Sequence, residues 1–269
     1  MLGGIRMKIT ALVENRSANS LKPAHGLSLY IETKQHALLF DLGPDDTLFQ
    51  NAEALKIDLA KVDTVILSHG HNDHGGALRR FLDVNHTARV YVQREAFEPH
   101  FSKLLWMKVP IGLDAALASH PQIVCLDGNF SIDGELSLFT VPKADKCRSS
   151  ANDRLLCSGG PDTFSHEQNL IIRENATALI MGCGHTGVVN ILNAASCIPQ
   201  VCVGGFHLFN PFTKRTVSLS LLDEIAQELR RYPDTAFYTC HCTGMKAYEA
   251  LSQKLPGLRY LACGDTFAV

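Results

Sequence analysis

Four side chains that can bind a metal fall within six residues, in His69-Gly70-His71-Asn72-Asp73-His74. Neutral imidazole and carboxylate are the usual ligands of zinc and other borderline metals. Residues two apart in an extended chain point the same way, so His69 and His71 can bind one ion together. The glycines around them permit a turn that directs Asp73 and His74 to a second ion. The cluster therefore predicts a two-metal site, and its density disfavours a polar turn with chance histidines.

The predicted site has the residues for hydrolysis. Two metal ions about 3.5–4 Å apart can hold a shared hydroxide and polarise a scissile group. Bound water then ionises near neutral pH. A phosphoryl or acyl centre would be attacked by that hydroxide while the ions stabilise the developing charge. Asp73, between metal and water, is the expected proton acceptor or orienting group.

The histidines follow predicted strands. Val62–Ser68 runs into His69, and three later apolar strands run into turns that hold His185, His207 and His241. Ligands bind at such strand ends in open α/β sheets. The alternating pattern predicts further strands at Met7–Glu14, Ser28–Thr33, His36–Asp41, Arg89–Val92, Gln122–Leu126, Leu136–Val141, Asn169–Arg173, Thr177–Met181, Gln200–Val203, Ala236–Thr239 and Arg259–Ala262. It predicts helices at Asp46–Leu55, Ala77–Leu82, Arg94–Phe101, Val188–Ala195, Ser218–Arg231 and Met245–Leu255.

The segment from His69 to His74 resembles the metal-binding motif of the metallo-β-lactamase superfamily, and Phe40-Asp41-Leu42-Gly43 resembles its first motif. The resemblance implies one α/β domain over residues 1–269 (α+β in some schemes), a four-layer αββα sandwich. Asp41 would fix a ligand by a hydrogen bond, the alternative being a turn-capping Asp. The resemblance implies one ion on His69, His71 and His185, and a second ion on Asp73, His74 and His241.

A closer resemblance is to the dihydropterin–ribofuranosylaminobenzene phosphate synthase branch of that superfamily. The matching segments are His25-Gly26-Leu27-Ser28, Ser68 to Gly76, Gly182 to Gly187, Gly204 to Leu208, and His241 to Gly244. The resemblance implies a phosphorylated substrate. It leaves open a synthase or transferase that joins a pterin to an aminobenzene ribofuranosyl phosphate.

The sequence departs from the superfamily at the bridging ligand. Most two-metal members carry an Asp that bridges both ions, whereas the corresponding strand ends here present Cys183 and His207. His207 is interpreted as a catalytic residue that binds the second metal or faces the substrate, with a structural histidine as the alternative. Cys183 is either a soft ligand or, as we favour, a small buried residue. Cys240 and Cys242 should point away from His241 and are interpreted as packing thiols.

The other histidines give weaker signals. His166 could be a ligand or a flap residue, but a surface histidine is the favoured interpretation. No neighbouring motif supports a role for the remaining ones, which are interpreted as ordinary: His36, His86, His100 and His120.

Residues from about 102 to 165 have the weakest pattern and predict a flap or insert. A loop-like stretch, Pro142–Pro161, carries four cations that could meet an anionic substrate: Lys143, Lys146, Arg148 and Arg154. Long loops are usually functional or disordered. A solvated surface loop is the slightly favoured alternative.

The composition is that of an ordinary globular protein of 269 residues, with a net charge of −2 and nine cysteines. We expect free thiols, because the odd count accompanies no signal-peptide pattern in Met1 to Lys8. Met7-Lys8-Ile9 could also be the native start. The expected location is cytoplasmic, with no membrane or nucleic-acid partner. A homo-oligomer stays open.

The combined prediction is a metal-dependent hydrolase that acts on a small anionic, phosphorylated substrate. Its cofactors would be two divalent ions, with zinc favoured and iron or manganese as alternatives. A non-haem iron redox enzyme on the same fold is a further hypothesis. The superfamily's di-iron oxygen reductases, however, carry Glu where this chain has His71. A non-enzymatic metal sensor is the weakest hypothesis.

Overall fold

The computed structural model describes residues 7–17 and 19–269. Most of the segment examined for a signal peptide, residues 1–6, lies outside them. The strands of the described residues are β1 Lys8–Val13, β2 Ser28–Glu32, β3 Ala37–Phe40, β4 Thr64–Ile66, β5 Arg89–Gln93, β6 His100–Leu104, β7 Met107–Pro110, β8 Ile123–Leu126, β9 Phe130–Ser131, β10 Leu136–Phe139, β11 Leu155–Cys157, β12 Gly160–Pro161, β13 Asn169–Arg173, β14 Thr177–Ile180, β15 Val201–Gly204, β16 Phe209–Asn210, β17 Arg215–Thr216, β18 Ala236–Thr239, β19 Arg259–Tyr260 and β20 Thr266–Ala268.

The α-helices lie in the connections between the strands. They are α1 Thr47–Ala54, α2 Asn72–Gly75, α3 Leu78–Val84, α4 Val188–Ala194, α5 Leu219–Leu229 and α6 Met245–Ser252. Short 3₁₀ turns occur at Leu59–Lys61, Arg94–Phe97, Ala115–Ser119, Ser150–Arg154 and His241–Thr243. Within residues 7–17 and 19–269, no helix is long and apolar enough to cross a membrane.

Two seven-stranded sheets form the centre of the molecule. Their strand orders are β20-β1-β2-β3-β4-β5-β8 and β19-β18-β15-β14-β13-β10-β9. In the first sheet β3, β4, β5 and β8 are parallel neighbours, and in the second β14, β15, β18 and β19 are. The carboxyl ends of each parallel set lie along one edge of its sheet.

Hydrophobic burial separates the layers. In β3, Leu38 and Phe40 pack between the two sheets, whereas Leu39 packs under the helices of the first sheet. This alternation is the period of two expected of a strand buried on both faces. A third cluster joins the second sheet to α4, α5 and α6. The predicted four-layer αββα sandwich is confirmed.

The region in which the sequence predicts a flap or insert contains a small antiparallel sheet of order β12-β11-β6-β7. The helix predicted at Arg94–Phe101 is wrong, because it stops as a 3₁₀ turn at Phe97 and β6 begins at His100. Pro99 explains this: the residue before a proline avoids the helical region, and Glu98 is extended, with ψ of 161°. The predicted loop Pro142–Pro161 likewise contains β11 and β12.

Candidate metal centre

The predicted ligands meet where the parallel strand ends of the two sheets face each other. His69 and His71 follow β4, His185 follows β14, and His241 follows β18. His74 lies in α2, the four-residue helix that begins just after His71. All five imidazoles are buried, with at most 4% of each residue exposed. The fold therefore brings together histidines that lie up to 172 positions apart in the chain.

Asp41 orients two of these rings from the end of β3. Its Oδ2 lies 2.6 Å from His74 Nδ1 and accepts the hydroxyl of Ser68 at 2.7 Å, while Oδ1 accepts the Ser68 backbone N–H. Ser68 Oγ in turn lies 2.7 Å from His69 Nδ1. Since a carboxylate only accepts, His74 carries its proton on Nδ1, and the chain of donors places the His69 proton on Nδ1 as well. Nε2 of each ring is therefore the nitrogen available to a metal ion, which on His74 displaces the second proton that the ring carries in the metal-free protein.

One asparagine orients His185 and another orients His241. His185 Nδ1 lies 2.9 Å from Asn152 Oδ1, whose amide nitrogen donates to the His185 carbonyl. His241 Nδ1 lies 2.8 Å from Asn15 Oδ1, an atom that also accepts the Gly26 backbone N–H. In both cases the amide oxygen must accept from Nδ1–H. The Nε2 atoms of His185 and His241 therefore also have free lone pairs.

The first group of donors consists of His69, His71 and His185, whose ligand atoms all lie within 4.8 Å of one another. The Nε2 atom of each ring is buried and has no hydrogen-bond partner among the described residues. Burial, with the neighbouring histidines, lowers the pKa of His69 well below its usual value, and burial does the same for His71 and His185. Three neutral nitrogens with lone pairs that meet no protein donor can hold a divalent cation.

The second group lies beside the first. His74 Nε2 and His241 Nε2 are 3.2 Å apart, and Asp73 Oδ2 is 3.4 Å from His241 Nε2. Two lone pairs at this distance repel unless a proton or a cation lies between them. Burial opposes ionisation of Asp73, but His74 and His241 outweigh burial and hold the pKa of Asp73 well below its usual value. An ionised carboxylate and two imidazoles therefore surround a second position that can hold a cation.

A cavity of about 290 Å³ opens onto both groups. Its wall includes Asp73, His185, His241, Cys183 and His207. The remaining wall is largely apolar, with residues from the chain just after β7, from β11 and from the β16–β17 hairpin: Ile111, Leu155, Phe209, Pro211 and Phe212. No lysine or arginine lines it among the described residues. The cavity therefore offers a metal-facing end and an apolar wall.

His207 lies in the cavity wall after β15. Its ring centroid is 4.1 Å from that of His185, and its Nδ1 is buried without a hydrogen-bond partner in the described chain. Its backbone has φ of 46°, and the hydroxyl of Ser149 donates to its carbonyl. A left-handed, non-glycine residue is strained and often marks a functional position.

The 142–161 segment reaches the cavity through apolar residues, Ala151 and Leu155. Its four cations point elsewhere. Their contacts are Lys143 with Asp145, Lys146 with Glu228, Arg148 with Asp153, and Arg154 with the carbonyl of Lys103. This arrangement does not support their predicted contact with the substrate.

A buried network beside His71 was not recognised from the sequence. Asp162 Oδ2 lies 3.0 Å from His100 Nδ1 and 3.3 Å from His166 Nε2, while His166 Nδ1 accepts the Gly70 backbone N–H. The interpretation of His166 as a surface histidine is wrong, because only 2% of it is exposed. The network holds the backbone between His69 and His71. In the sequence, the only signal for a role of His166 is that Glu167 lies next to it. In the structure, Glu167 accepts the His185 backbone N–H at 2.6 Å.

Cys242 also differs from its interpretation as a packing thiol that points away from the site. It lines the cavity, whereas Cys240 packs between the sheets as expected. The prediction assumed extended chain, but His241–Thr243 forms a 3₁₀ turn and His241 has φ of 49°. The turn rotates Cys242 to the side of His241.

The chain is similar to a family model and to solved structures of one superfamily. Residues 21–142 match the family model of the metallo-beta-lactamase superfamily. Tm1679, a metal-dependent hydrolase of the beta-lactamase superfamily, is 26% identical, with a TM-score of 0.81 over 98% of this chain and 99% of that one. The metallo-beta-lactamase fold protein YhfI from Bacillus subtilis has a TM-score of 0.60 at 13% identity, over 98% and 100% of the two chains. The predicted resemblance to this superfamily is confirmed.

Two relatives from Methanocaldococcus jannaschii match over most of their length. The uncharacterized protein MJ0448 is 24% identical over 252 residues, 91% of this chain and 94% of that protein. The 7,8-dihydropterin-6-methyl-4-(beta-D-ribofuranosyl)-aminobenzene-5'-phosphate synthase is 25% identical over 250 residues, 83% of this chain and 82% of that protein. The second match confirms the predicted resemblance to that branch.

Proposed function

We propose that this chain, which has the metallo-β-lactamase fold, is a metal-dependent hydrolase of small phosphoesters. The observation that carries the proposal is the set of three buried Nε2 atoms, on His69, His71 and His185, that converge without a protein partner. Leaving such atoms unpaired costs about 1–3 kcal/mol each, so a bound metal ion would stabilise the arrangement. The donor set fits zinc, and iron or manganese would also bind imidazole and carboxylate.

Two positions follow from the two groups of donors. His69, His71 and His185 would hold one ion, and Asp73, His74 and His241 would hold the other. Asp41 stays outside both sets, because its oxygens already accept hydrogen bonds from Ser68 and His74. Its role is to keep His74 in the tautomer that binds metal.

The bound ions would supply Lewis acidity and a lowered pKa for coordinated water. Asp73 lies in the cavity wall and its depressed pKa keeps it ionised, so its carboxylate can orient the attacking water and is present in the form that accepts a proton. His207 faces the same cavity with an unpartnered Nδ1 and can donate a proton to the leaving group or hold a substrate oxygen. These two residues are the proposed catalytic groups.

The residues of the cavity wall restrict the charge and the size of the substrate. Because no lysine or arginine of the described chain lines it, the anionic group would lie against the ions themselves. The organic part would contact Ile111, Leu155 and Phe209. The volume of about 290 Å³ is at the lower end of small-molecule sites. A small phosphoester with a compact, mostly uncharged organic group fits these features.

A second candidate is a synthase that joins a pterin to an aminobenzene ribofuranosyl phosphate. The support for it is the relative that bears this activity in its name, at 25% identity. Tm1679, at 26% identity, supports the hydrolase equally in sequence terms. The two reactions differ in the acceptor, which is water in one and an organic nucleophile in the other.

The test begins with elemental analysis of purified protein, followed by phosphomonoester, phosphodiester, lactone and thioester substrates. We expect bound divalent metal, and phosphoester hydrolysis that chelators abolish. His69→Ala should lose metal and activity, while His86→Ala should retain both, because His86 is exposed and precedes β5 at the opposite edge of the sheet. Metal-free protein with full activity would refute the proposal. Turnover only with an added pterin and aminobenzene partner would favour the synthase, and oxygen uptake would favour a redox enzyme.

A further inference from the structure

Cys183 lies between the two groups of histidines. It follows β14 and Gly182, and only 3% of the residue is exposed. Its Sγ is 3.2 Å from His74 Nε2. Gly182 permits this approach, because a side chain there would collide with the Ser68 hydroxyl. The turn after β14 thus delivers a thiol into the centre of the site.

The thiol is shared by several sets of donors that could each hold an ion. Its Sγ and the ligand atoms of His69 and His74 all lie within 4.8 Å of one another. The same holds for Cys183 with His185 and His207, and for Cys183 with His241 and Cys242. Sγ is therefore close to His69 and His185 on one side and to His74 and His241 on the other. A single atom in this position can contact ions at both places.

The three carboxylates nearest the thiol are placed differently. Asp41 is occupied by Ser68 and His74. Both oxygens of Glu167 accept hydrogen bonds, from the His185 and Thr186 backbone and from the Thr186 hydroxyl. Asp73 approaches from the His241 side, at 3.4 Å. The position between the two groups of donors is therefore left to the thiol.

We propose that the Cys183 thiolate is a shared ligand of the two metal ions and takes the place of the bridging aspartate. This inference rests on the proposed metal-dependent function. On binding, the S–H bond breaks, the sulfur lone pairs go to the ions and the proton leaves to solvent, with no change in oxidation state. Zinc, cobalt and iron accept thiolate ligands, whereas magnesium and calcium prefer oxygen.

Cys242 is the other thiol of the cavity, and its role differs. Its S–H donates to the Cys183 carbonyl at 3.4 Å, so it is positioned to hold the turn that carries Cys183. Its sulfur forms a set of possible donors with Cys183 and His241. We therefore assign the ligand to Cys183 and a positioning role to Cys242.

The experiment loads the metal-free protein with Co²⁺ and, separately, with Zn²⁺. Thiolate bound to Co²⁺ gives an intense near-ultraviolet charge-transfer band, and thiolate bound to Zn²⁺ gives a scatterer at about 2.3 Å in X-ray absorption. The variants are Cys183→Ser, Cys183→Asp and Cys242→Ser. Cys197→Ser is the control, a half-buried cysteine just after α4.

We expect the band and the sulfur scatterer in wild type, Cys197→Ser and Cys242→Ser. Both should be lost in Cys183→Ser, and Cys183→Asp should bind two ions without the band. A band that survives in Cys183→Ser, or that disappears only in Cys242→Ser, overturns the assignment. Wild-type protein that binds two ions and shows no sulfur scatterer also overturns the assignment. This result does not depend on whether Cys183→Ser folds. That result leaves the hydrolase proposal intact, whereas protein that binds no metal refutes both.

Discussion

Replacing Asp41 with asparagine tests whether this buried carboxylate controls metal affinity from outside the ligand set. Asp41 is fully buried, and its Oδ2 lies 2.6 Å from His74 Nδ1. Its backbone φ is 63°, a left-handed conformation that asparagine also tolerates. The substitution therefore removes the negative charge and keeps both the size and the backbone conformation.

The expected magnitude follows from the lost contact with His74. A hydrogen bond to a charged partner contributes about 1.5–3 kcal/mol. Loss of a residue that orients a metal ligand typically weakens metal binding by about 10–100-fold, which corresponds to about 1.4–2.7 kcal/mol. The two ranges agree. We expect Asp41→Asn to weaken Zn²⁺ binding at the position held by His74 by an amount within these ranges.

The same carboxylate sets a pH dependence in the metal-free protein. Burial opposes the charge on His74, but Asp41 and Asp73 outweigh burial and raise its pKa from 6.5 to about 9. Because the folded pKa is the higher one, the stabilisation is fully present below the unfolded pKa and is lost as the pH rises through about 9. It amounts to about 3 kcal/mol. Asp41→Asn should lose much of it, so its free energy of unfolding should change less between about pH 6 and about pH 10.

Two assays decide the matter: competition for Zn²⁺ against a chelator, and urea unfolding of metal-free protein across that pH range. The matched control is Asp83→Asn, which removes an exposed carboxylate on α3. The reasoning is refuted if Asp41→Asn and Asp83→Asn bind Zn²⁺ equally well and show the same pH dependence of unfolding.

Three further predictions concern the cavity. Asp73→Asn should lose most of kcat while the thermal unfolding of the metal-free protein stays cooperative, because the amide cannot accept a proton; undiminished turnover would exclude Asp73 as acceptor or ligand. His207→Asn, which tolerates the left-handed backbone, should lower kcat by about 10²–10⁴-fold with metal content unchanged; loss of one ion would instead make His207 a ligand. An alanine variant at all four cations of the 142–161 segment should keep KM and its ionic-strength dependence within about twofold, since they contact surface groups; a tenfold rise in KM would show that they reach the substrate.

Local sequence patterns predicted much of the fold. The sequence predicted a strand at His36–Asp41, and the structure places its residues Leu38 and Phe40 on one face of the first sheet and Leu39 on the other. The pattern failed at residues 94–110 and 142–161, although the strands predicted between these segments, at Gln122–Leu126 and Leu136–Val141, are present. The small sheet there is held by pairs distant in sequence, such as Leu156 with Phe101. Such pairing leaves no local periodicity, and so the strands were taken for a helix and a loop.

The sequence by itself determined which residues could bind metal and in what order. Spacing alone joined His69, His71, Asp73 and His74, because they lie within six positions after one strand. The histidines after the later strands could be singled out by their glycine-rich turns. The sequence also indicated that Cys183 and His207 stand at the strand ends where the family resemblance implies a bridging aspartate. These inferences need only local chain geometry and the ordinary chemistry of the side chains.

Only the tertiary structure decided how those groups face one another. It set the tautomers, because Asn15 and Asn152 reach the ring nitrogens of His241 and His185 from distant segments. The tertiary structure directed the Cys242 side chain toward the cavity, and it buried His100, Asp162 and His166 in one network. It also directed the loop cations away from the cavity. Contacts of this kind depend on packing between two sheets, and no spacing along one chain segment encodes them.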